Sequence, residues 1–267
     1  MTRPKSLWTD VEALARLARS GRVAEDASSE ARPVRGPRSR RSYPPFPDHL
    51  EFDIHGADSP ARGVAGDSFD FFFVSDDTLA FLIADVSGKG LPAGILMGVT
   101  RSMVRNLTPV SKSPGEVLTR VNEILYQTDL GPMFVTIFLG WYDTRTGALR
   151  YTNAGHPHPY LMDGVGNVTP KCKTTGPILG ILEVEEYAVR EEQLQVGDRL
   201  ALFTDGVTEA VDPQGEFLGN EGLERILKQH AAKPVNKLCE SVIQEVVDSQ
   251  DSNLQDDATF LLIRRNA

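Results

Sequence analysis

Residues 66–90 read GDSFDFFFVSDDTLAFLIADVSGKG. This stretch contains two apolar, strand-like runs, Phe69–Val74 and Leu79–Asp85. The pair Asp76-Asp77 lies between them, and aspartates are frequent in tight turns because their side chains hydrogen-bond to the nearby backbone. The pattern therefore predicts a β-hairpin.

Aspartates mark one end of this hairpin, and similar placements occur far downstream. A charged side chain at the mouth of an apolar strand is costly to desolvate unless a cation neutralises it. A single aspartate at a strand end is usually a turn former, but several in one local setting favour a site assembled by folding. The carboxylates placed in this way are Asp67, Asp70, Asp85, Asp205, Asp256 and Asp257.

The chemistry of this set indicates a centre for hard metal ions. Carboxylates without an accompanying His/Cys cluster select Mg²⁺ or Mn²⁺ over zinc. Two such ions bridged by a carboxylate, roughly 4 Å apart, would activate a water for attack on phosphorus. Gly88-Lys89-Gly90 lacks the remainder of a P-loop, which argues against nucleotide hydrolysis of that type.

Composition narrows the class of protein. The chain has 267 residues, of which 40% are hydrophobic, and a formal net charge of −9. That charge argues against a nucleic-acid partner, and no apolar run reaches the ~20 residues that span a membrane. The N-terminus shows no secretory signal. Cys172 and Cys239 stand apart and form no CxxC pair, so we expect a cytoplasmic location.

Residues 1–45 differ from the rest and are predicted to be a flexible basic extension. A short amphipathic helix is expected over residues 9–19. Residues 31–42 are rich in Arg, Pro, Gly and Ser and read as a linker. The linker is either a solvated tail or an electrostatic contact for an acidic partner or nucleic acid.

The remaining pattern, residues 46–267, predicts one α+β domain. Helices occur in pairs between groups of strands, which favours two mainly antiparallel sheets, each covered by a helix pair, over a doubly wound sheet. Strands are predicted near Leu50–His55, Phe134–Tyr142, Leu149–Asn153, Tyr160–Met162, Glu186–Leu194, Arg199–Phe203 and Ala258–Ile263. Helices are predicted after Gly90, after Ser113, around Leu223–Leu227 and after Pro234.

Five motifs in this order resemble the SpoIIE-like branch of the PPM metal-dependent protein phosphatases, over about residues 45–265. Each motif is weak alone, but five in order with compatible spacing are specific. They are AGDSFD (65–70), ADVSGKG (84–90), NAGH (153–156), FTDGVTE (203–209) and DDAT (256–259).

The resemblance implies a four-layer αββα sandwich with two Mn²⁺ or Mg²⁺ ions at one edge. It implies hydrolysis of phosphoserine or phosphothreonine by a metal-activated water. Asp85 would bridge the two ions, and the Val86 carbonyl would bind the second. Asp205 and Asp256 would bind the first ion, and Asp67 would act mostly through metal-bound water. These four aspartates form the implied catalytic set.

Neighbouring positions have weaker assignments. Asp257 matches a non-ligand position, although the sequence leaves a swap with Asp256 open. Asp70 is either a supporting residue or an ordinary surface charge. Ser87 stands where eukaryotic type 2C relatives carry a histidine thought to protonate the leaving group. Metal-bound water could replace that histidine, as could His156 if folding brings it close; otherwise His156 is a loop histidine satisfied by the backbone.

The resemblance also implies a partner. The expected substrate is a phosphorylated anti-sigma-factor antagonist in a bacterial partner-switching pathway, and related domains suggest a homodimer. Two alternatives stay open: a non-catalytic module that binds a phosphoprotein on the same scaffold, and a phosphatase of small molecules.

Overall fold

The computed structural model describes residues 45–61, 63–128, 130–184, 186–250 and 254–267. The helix expected over residues 9–19 and the basic segment 31–42 lie outside these ranges.

The described residues contain ten strands in two five-stranded sheets, and every pairing is antiparallel. The strands are β1 (Phe52–Ser59), β2 (Ser68–Ser75), β3 (Thr78–Val86), β4 (Val135–Asp143), β5 (Ala148–Ala154), β6 (Tyr160–Met162), β7 (Val168–Pro170), β8 (Arg190–Gln193), β9 (Arg199–Phe203) and β10 (Ala258–Arg265). One sheet has the order β1-β10-β9-β6-β7, and the other has the order β2-β3-β4-β5-β8.

Helices cover the outer face of each sheet. Helices α1 (Leu91–Leu107) and α2 (Pro114–Gln127) share a core with β3 and β4. A short helix, α3 (Asp205–Thr208), follows β9, and α4 (Gly219–Gln229) and α5 (Val235–Ser249) share a second core with β9 and β10. A third core, rich in aromatic side chains, fills the space between the sheets. The predicted αββα sandwich is confirmed. No helix in the described ranges has the length and apolarity needed to cross a bilayer.

Helix α1 begins where the sequence predicted, but its buried face differs. The apolar residues of this helix at i, i+4 spacing, Ile95, Val99, Met103 and Leu107, predict its core stripe, but only Met103 is fully buried and the other three are half-buried. Leu96, Met97 and Val104 are buried instead. Steps of four residues overshoot a 3.6-residue turn, so such a series drifts off the face that packs on the sheet.

The strand predicted over Glu186–Leu194 is shorter in the structure, and only Arg190–Gln193 pairs with β5. The buried Tyr187 explains the difference. Its backbone N–H donates to the Thr119 hydroxyl of α2, 3.0 Å away, rather than to a neighbouring strand. The three-residue strand β7 and the four-residue helix α3 were not predicted, since neither is long enough to show a period.

Candidate metal centre

Antiparallel pairing brings the predicted carboxylates to one end of the sandwich. In the hairpin, Ser68 pairs with Ala84, so Asp67 lies across from Asp85. In the other sheet, Phe203 pairs with Phe260, so Asp205, just after β9, faces the segment that leads into β10. Each sheet therefore contributes one strand end and one strand start to the same edge.

The negative charges of the other strand-end aspartates act on the carboxylate of Asp85. Burial raises the pKa of Asp85 to about 7, and the negative charges of Asp205, Asp256 and Asp257 add to that rise. A hydrogen bond with Asp67 acts in the opposite direction. Four aspartates widely separated in the sequence thus act on the side chain that closes β3. Their mutual repulsion is what a bound cation would relieve.

Asp67 is the most deeply buried member of this group, with 3% of its surface exposed. Burial, followed by the charge of Asp85, raises its pKa well above the usual value. The Thr204 hydroxyl donates to Asp67 Oδ2 at 2.7 Å, and the Thr204 hydroxyl oxygen in turn accepts the Thr259 N–H at 3.0 Å. Thr204 thereby ties the two sheets together at the site. Sequence reasoning missed this residue, which stands beside Asp205 in the FTDGVTE motif.

Asp205 is the first residue of α3 and lies at the pocket surface. Although the residue is exposed overall, its surroundings desolvate the carboxylate enough to raise its pKa, and the charges of Glu209 and Asp256 add to the effect. Its open position suits a group that receives an ion from solvent.

The adjacent Asp256 and Asp257 have different roles. Asp257 accepts backbone N–H groups from Ala61 at 2.8 Å and Gly66 at 2.7 Å, one on each carboxylate oxygen. It therefore fastens the loop before β2 to the start of β10. Asp256 is half exposed and forms an ion pair with Lys89. Both carboxylate oxygens of Asp257 thus accept backbone N–H groups, whereas Asp256 is open to solvent; the assignment of Asp256 as the ligand stays a prediction.

Two glycines permit the close approach of these segments. A Cβ on Gly206 would lie 2.0 Å from the Asp257 carbonyl oxygen, which is a severe clash. A Cβ on Gly66 would lie 3.0 Å from the Val86 carbonyl oxygen, the oxygen that the resemblance assigns to the second ion. The glycines of the GD and DG pairs therefore leave room for backbone beside the carboxylates.

An open pocket of about 360 Å³ lies at this edge. Its lining brings Asp85 of one sheet together with Asp205, which follows β9 of the other. The remaining lining residues are Thr136, Gly155, His156, Pro157 and His158. Ser87 is not among them, because its hydroxyl accepts the Phe134 N–H at 2.8 Å and its backbone pairs with the same residue.

His156 reaches the pocket, but as a neutral imidazole. Asn153 Oδ1 accepts the His156 backbone N–H at 2.8 Å, which fixes the turn of the NAGH motif. The Thr136 hydroxyl lies 2.9 Å from His156 Nδ1. Burial lowers the pKa of His156 to about 3, and the nearby Phe203 backbone opposes this only in part. A ring that is neutral at physiological pH is poorly suited to protonate a leaving group.

Asp70 is not the ordinary surface charge that was one of its two predicted roles. It is 1% exposed, so it is not a surface charge, and it does not line the pocket. Instead, Arg105 of α1 binds it with two hydrogen bonds, 2.6 Å to Oδ2 and 2.8 Å to Oδ1. The Arg105 guanidinium also lies 4.6 Å from the Phe72 ring centroid. This pair attaches α1 to β2, the strand that begins just after Asp67.

The donor set fits a hard divalent ion in composition and charge. It consists of carboxylates with one backbone carbonyl, and burial and mutual repulsion raise the pKa values of Asp67, Asp85 and Asp205. Within the described ranges, however, no three His, Cys, Asp or Glu side chains are arranged as they would be around an ion.

Comparison with known proteins identifies similar chains. A family model described as Stage II sporulation protein E (SpoIIE) matches residues 75–266. Phosphoserine phosphatase RsbU of Bacillus subtilis is 29% identical over 220 residues, covering 82% of this chain and 65% of that protein. Protein IcfG of Synechocystis sp. is 31% identical over 251 residues, covering 83% of this chain and 39% of that protein.

Solved structures agree on the fold. The RsbU and RsbW domains of Rv1364c from Mycobacterium tuberculosis align with a TM-score of 0.71 at 25% identity, over 82% of this chain and 61% of that one. The PP2C phosphatase domain of SpoIIE from Bacillus subtilis, with a fragment of its regulatory domain, aligns with a TM-score of 0.70 at 21% identity. The alignment covers 80% of this chain and 63% of that one. The chain thus spans less than two thirds of each of these four proteins.

Proposed function

This chain belongs to the Stage II sporulation protein E (SpoIIE) family, and from that premise we propose that it is a metal-dependent protein serine/threonine phosphatase. The observation that carries the proposal is the convergence of strand-end aspartates from both sheets on one pocket, where Asp85 and Asp205 form part of the lining. The phosphatase domain is taken as residues 46–267, and residues 1–45 as an extension.

The proposed cofactor is a pair of Mn²⁺ or Mg²⁺ ions. Bound there, they would neutralise phosphoryl oxygens and supply a nucleophilic water. Asp85 would hold both ions, with the Val86 carbonyl on one and Asp205 and Asp256 on the other. Asp67, held by the Thr204 hydroxyl, would orient the water ligands of the site. This hydrogen bond fixes the direction of the Asp67 carboxylate, which limits the entropy lost when an ion binds.

The pocket favours a protein substrate over a small phosphate ester. It is open to solvent on one side and is bordered by the exposed His158 and by Pro157. Its open side gives an extended phosphoserine or phosphothreonine segment access to the carboxylates. We propose a phosphorylated anti-sigma-factor antagonist as the substrate and a homodimer as the assembly. Both follow from the family resemblance.

The buried aspartates argue against a non-catalytic phosphoprotein-binding module. A site that only binds phosphate is served by cationic side chains, whereas this edge concentrates negative charge that an anionic ligand would meet unfavourably. The cysteines support a cytoplasmic location, since Cys172 and Cys239 are both buried and free.

The proposal predicts strict dependence on divalent ions. The purified chain should hydrolyse a phosphoserine peptide with Mn²⁺ or Mg²⁺ and lose this activity in EDTA, because the carboxylates alone repel the phosphate. The measurement is phosphate release from the peptide and, in parallel, from a sugar phosphate. Activity that is indifferent to chelation would refute the metal mechanism, and faster release from the sugar phosphate would favour the small-molecule alternative.

A further inference from the structure

The side chain of Lys89 contacts the group of aspartates at the edge of the sandwich. Lys89 belongs to the loop between β3 and α1, where Gly88 and Gly90 have positive φ values of 99° and 81°. Its ammonium Nζ lies 2.9 Å from Asp256 Oδ2. It also donates a hydrogen bond of 2.6 Å to the Gln255 carbonyl. The loop that carries Lys89 therefore reaches across to the segment that precedes β10 in the other sheet.

The contact uses the oxygen of Asp256 that is otherwise available to an ion. Asp256 Oδ1 accepts the N–H of Asp257 at 2.9 Å, whereas Oδ2 faces Lys89. The positive charge of Lys89 also acts on Asp205, where it opposes the rise in pKa caused by neighbouring carboxylates. One ammonium thus partly neutralises the two aspartates assigned to the same ion.

We propose that Lys89 is an internal counterion that competes with the divalent ion for Asp256. The inference depends on the proposed function, because it takes Asp256 as a ligand. When an ion binds, the Lys89 ammonium leaves Oδ2 or shares it with a second cation, and both cost free energy. The metal affinity of the site is therefore lower than its carboxylates alone would give. The fraction of sites that hold an ion then depends on the concentration of the divalent ion.

A neutral residue at position 89 tests this competition. Lys89→Gln keeps a polar side chain but removes the charge, so Mn²⁺ should bind more tightly. One unit charge at a few ångströms, acting on a divalent ion in a partly solvated site, predicts a dissociation constant lower by roughly fivefold or more. Lys89→Arg keeps the charge and should stay within about twofold of the wild type. Binding is measured on the chelator-stripped protein by the loss of the free Mn²⁺ signal in electron paramagnetic resonance.

Lys228→Gln is the matched control. Lys228 pairs with Glu224 one turn away on α4, so its removal changes the net charge equally without touching the carboxylate cluster. Its Mn²⁺ affinity should equal that of the wild type. An unchanged or weaker affinity in Lys89→Gln, with Lys228→Gln unchanged, would overturn the counterion role and leave the metal centre standing. Absence of Mn²⁺ binding in the wild type would overturn both this role and the metal-dependent function.

Discussion

Replacing Asp85 with asparagine is expected to lower phosphopeptide hydrolysis by about a thousandfold or more, equivalent to ~4 kcal/mol of transition-state stabilisation. The variant removes the negative charge that would hold both ions, while the amide has nearly the same shape as the carboxylate. The measurement is kcat/KM with saturating Mn²⁺, together with the Mn²⁺ affinity.

The same substitution should stabilise the metal-free fold, which separates lost chemistry from lost structure. The pKa of Asp85 is raised to about 7 in the folded protein. The folded state therefore binds more protons than the unfolded state between about pH 4 and pH 7, and the wild type loses stability as the pH rises through that range. Asparagine cannot ionise. In EDTA, the free energy of unfolding of Asp85→Asn should exceed that of the wild type by an amount that grows by about 2 kcal/mol from pH 5 to pH 8.

Urea unfolding at the two pH values provides that comparison. Asp76→Asn is the control, since Asp76 is an exposed aspartate in the turn at the opposite end of the same hairpin. It should change neither activity nor the pH dependence of stability. Wild-type turnover by Asp85→Asn would contradict the bridging role. If the free energy of unfolding in EDTA depended on pH equally in the wild type and in Asp85→Asn, the burial and repulsion assigned to this carboxylate would be contradicted.

Of the substitutions proposed here, Arg105→Ala should lower the free energy of unfolding the most. Asp70 is 1% exposed and depends on the two hydrogen bonds from the Arg105 guanidinium. Arg105→Ala would leave a buried carboxylate without its cation, which typically costs about 3–5 kcal/mol. The measurement is the free energy of unfolding in urea, with EDTA present so that metal binding does not contribute.

A second substitution separates the charge from the packing. The double variant Asp70→Asn, Arg105→Met removes both charges and should recover most of the stability. Arg101→Ala, one turn earlier on α1, is the control, because within the described ranges the hydrogen bond of Arg101 is a long one, 3.5 Å to the Ser68 hydroxyl. A loss of less than about 1 kcal/mol in Arg105→Ala would show that the pair is a weak surface interaction.

The sequence predicted the elements that are local and periodic. The hairpin, the helix pairs and the order of the strands were readable because each depends on alternation, helical spacing or turn residues close in the chain. The start of α2 is one example: a serine three residues before a glutamate predicts a helix N-terminus, and the Ser113 hydroxyl accepts the Glu116 N–H. Two antiparallel sheets, each covered by a helix pair, followed from the pairing of helices, and the family resemblance implied the four-layer αββα sandwich.

The sequence could not predict contacts that depend on the tertiary fold. Arg105 and Asp70 are 35 residues apart, and no local pattern connects them. The hydrogen bond from Thr204 to Asp67 spans 137 residues. The burial that keeps His156 neutral arises from the sheets around it rather than from its own motif. Ligand roles for the four aspartates likewise remain a prediction, because coordination is a property of the loaded site.

Anomalous diffraction from crystals grown with Mn²⁺ would locate the bound ions. We expect two anomalous peaks at this edge of the sandwich, both contacting Asp85, with Asp205 and Asp256 on one of them. The Lys89 ammonium should lie farther from Asp256 Oδ2 than the 2.9 Å seen here. Manganese bound elsewhere, or no peak between Asp85 and Asp205 at millimolar Mn²⁺, would contradict this expectation.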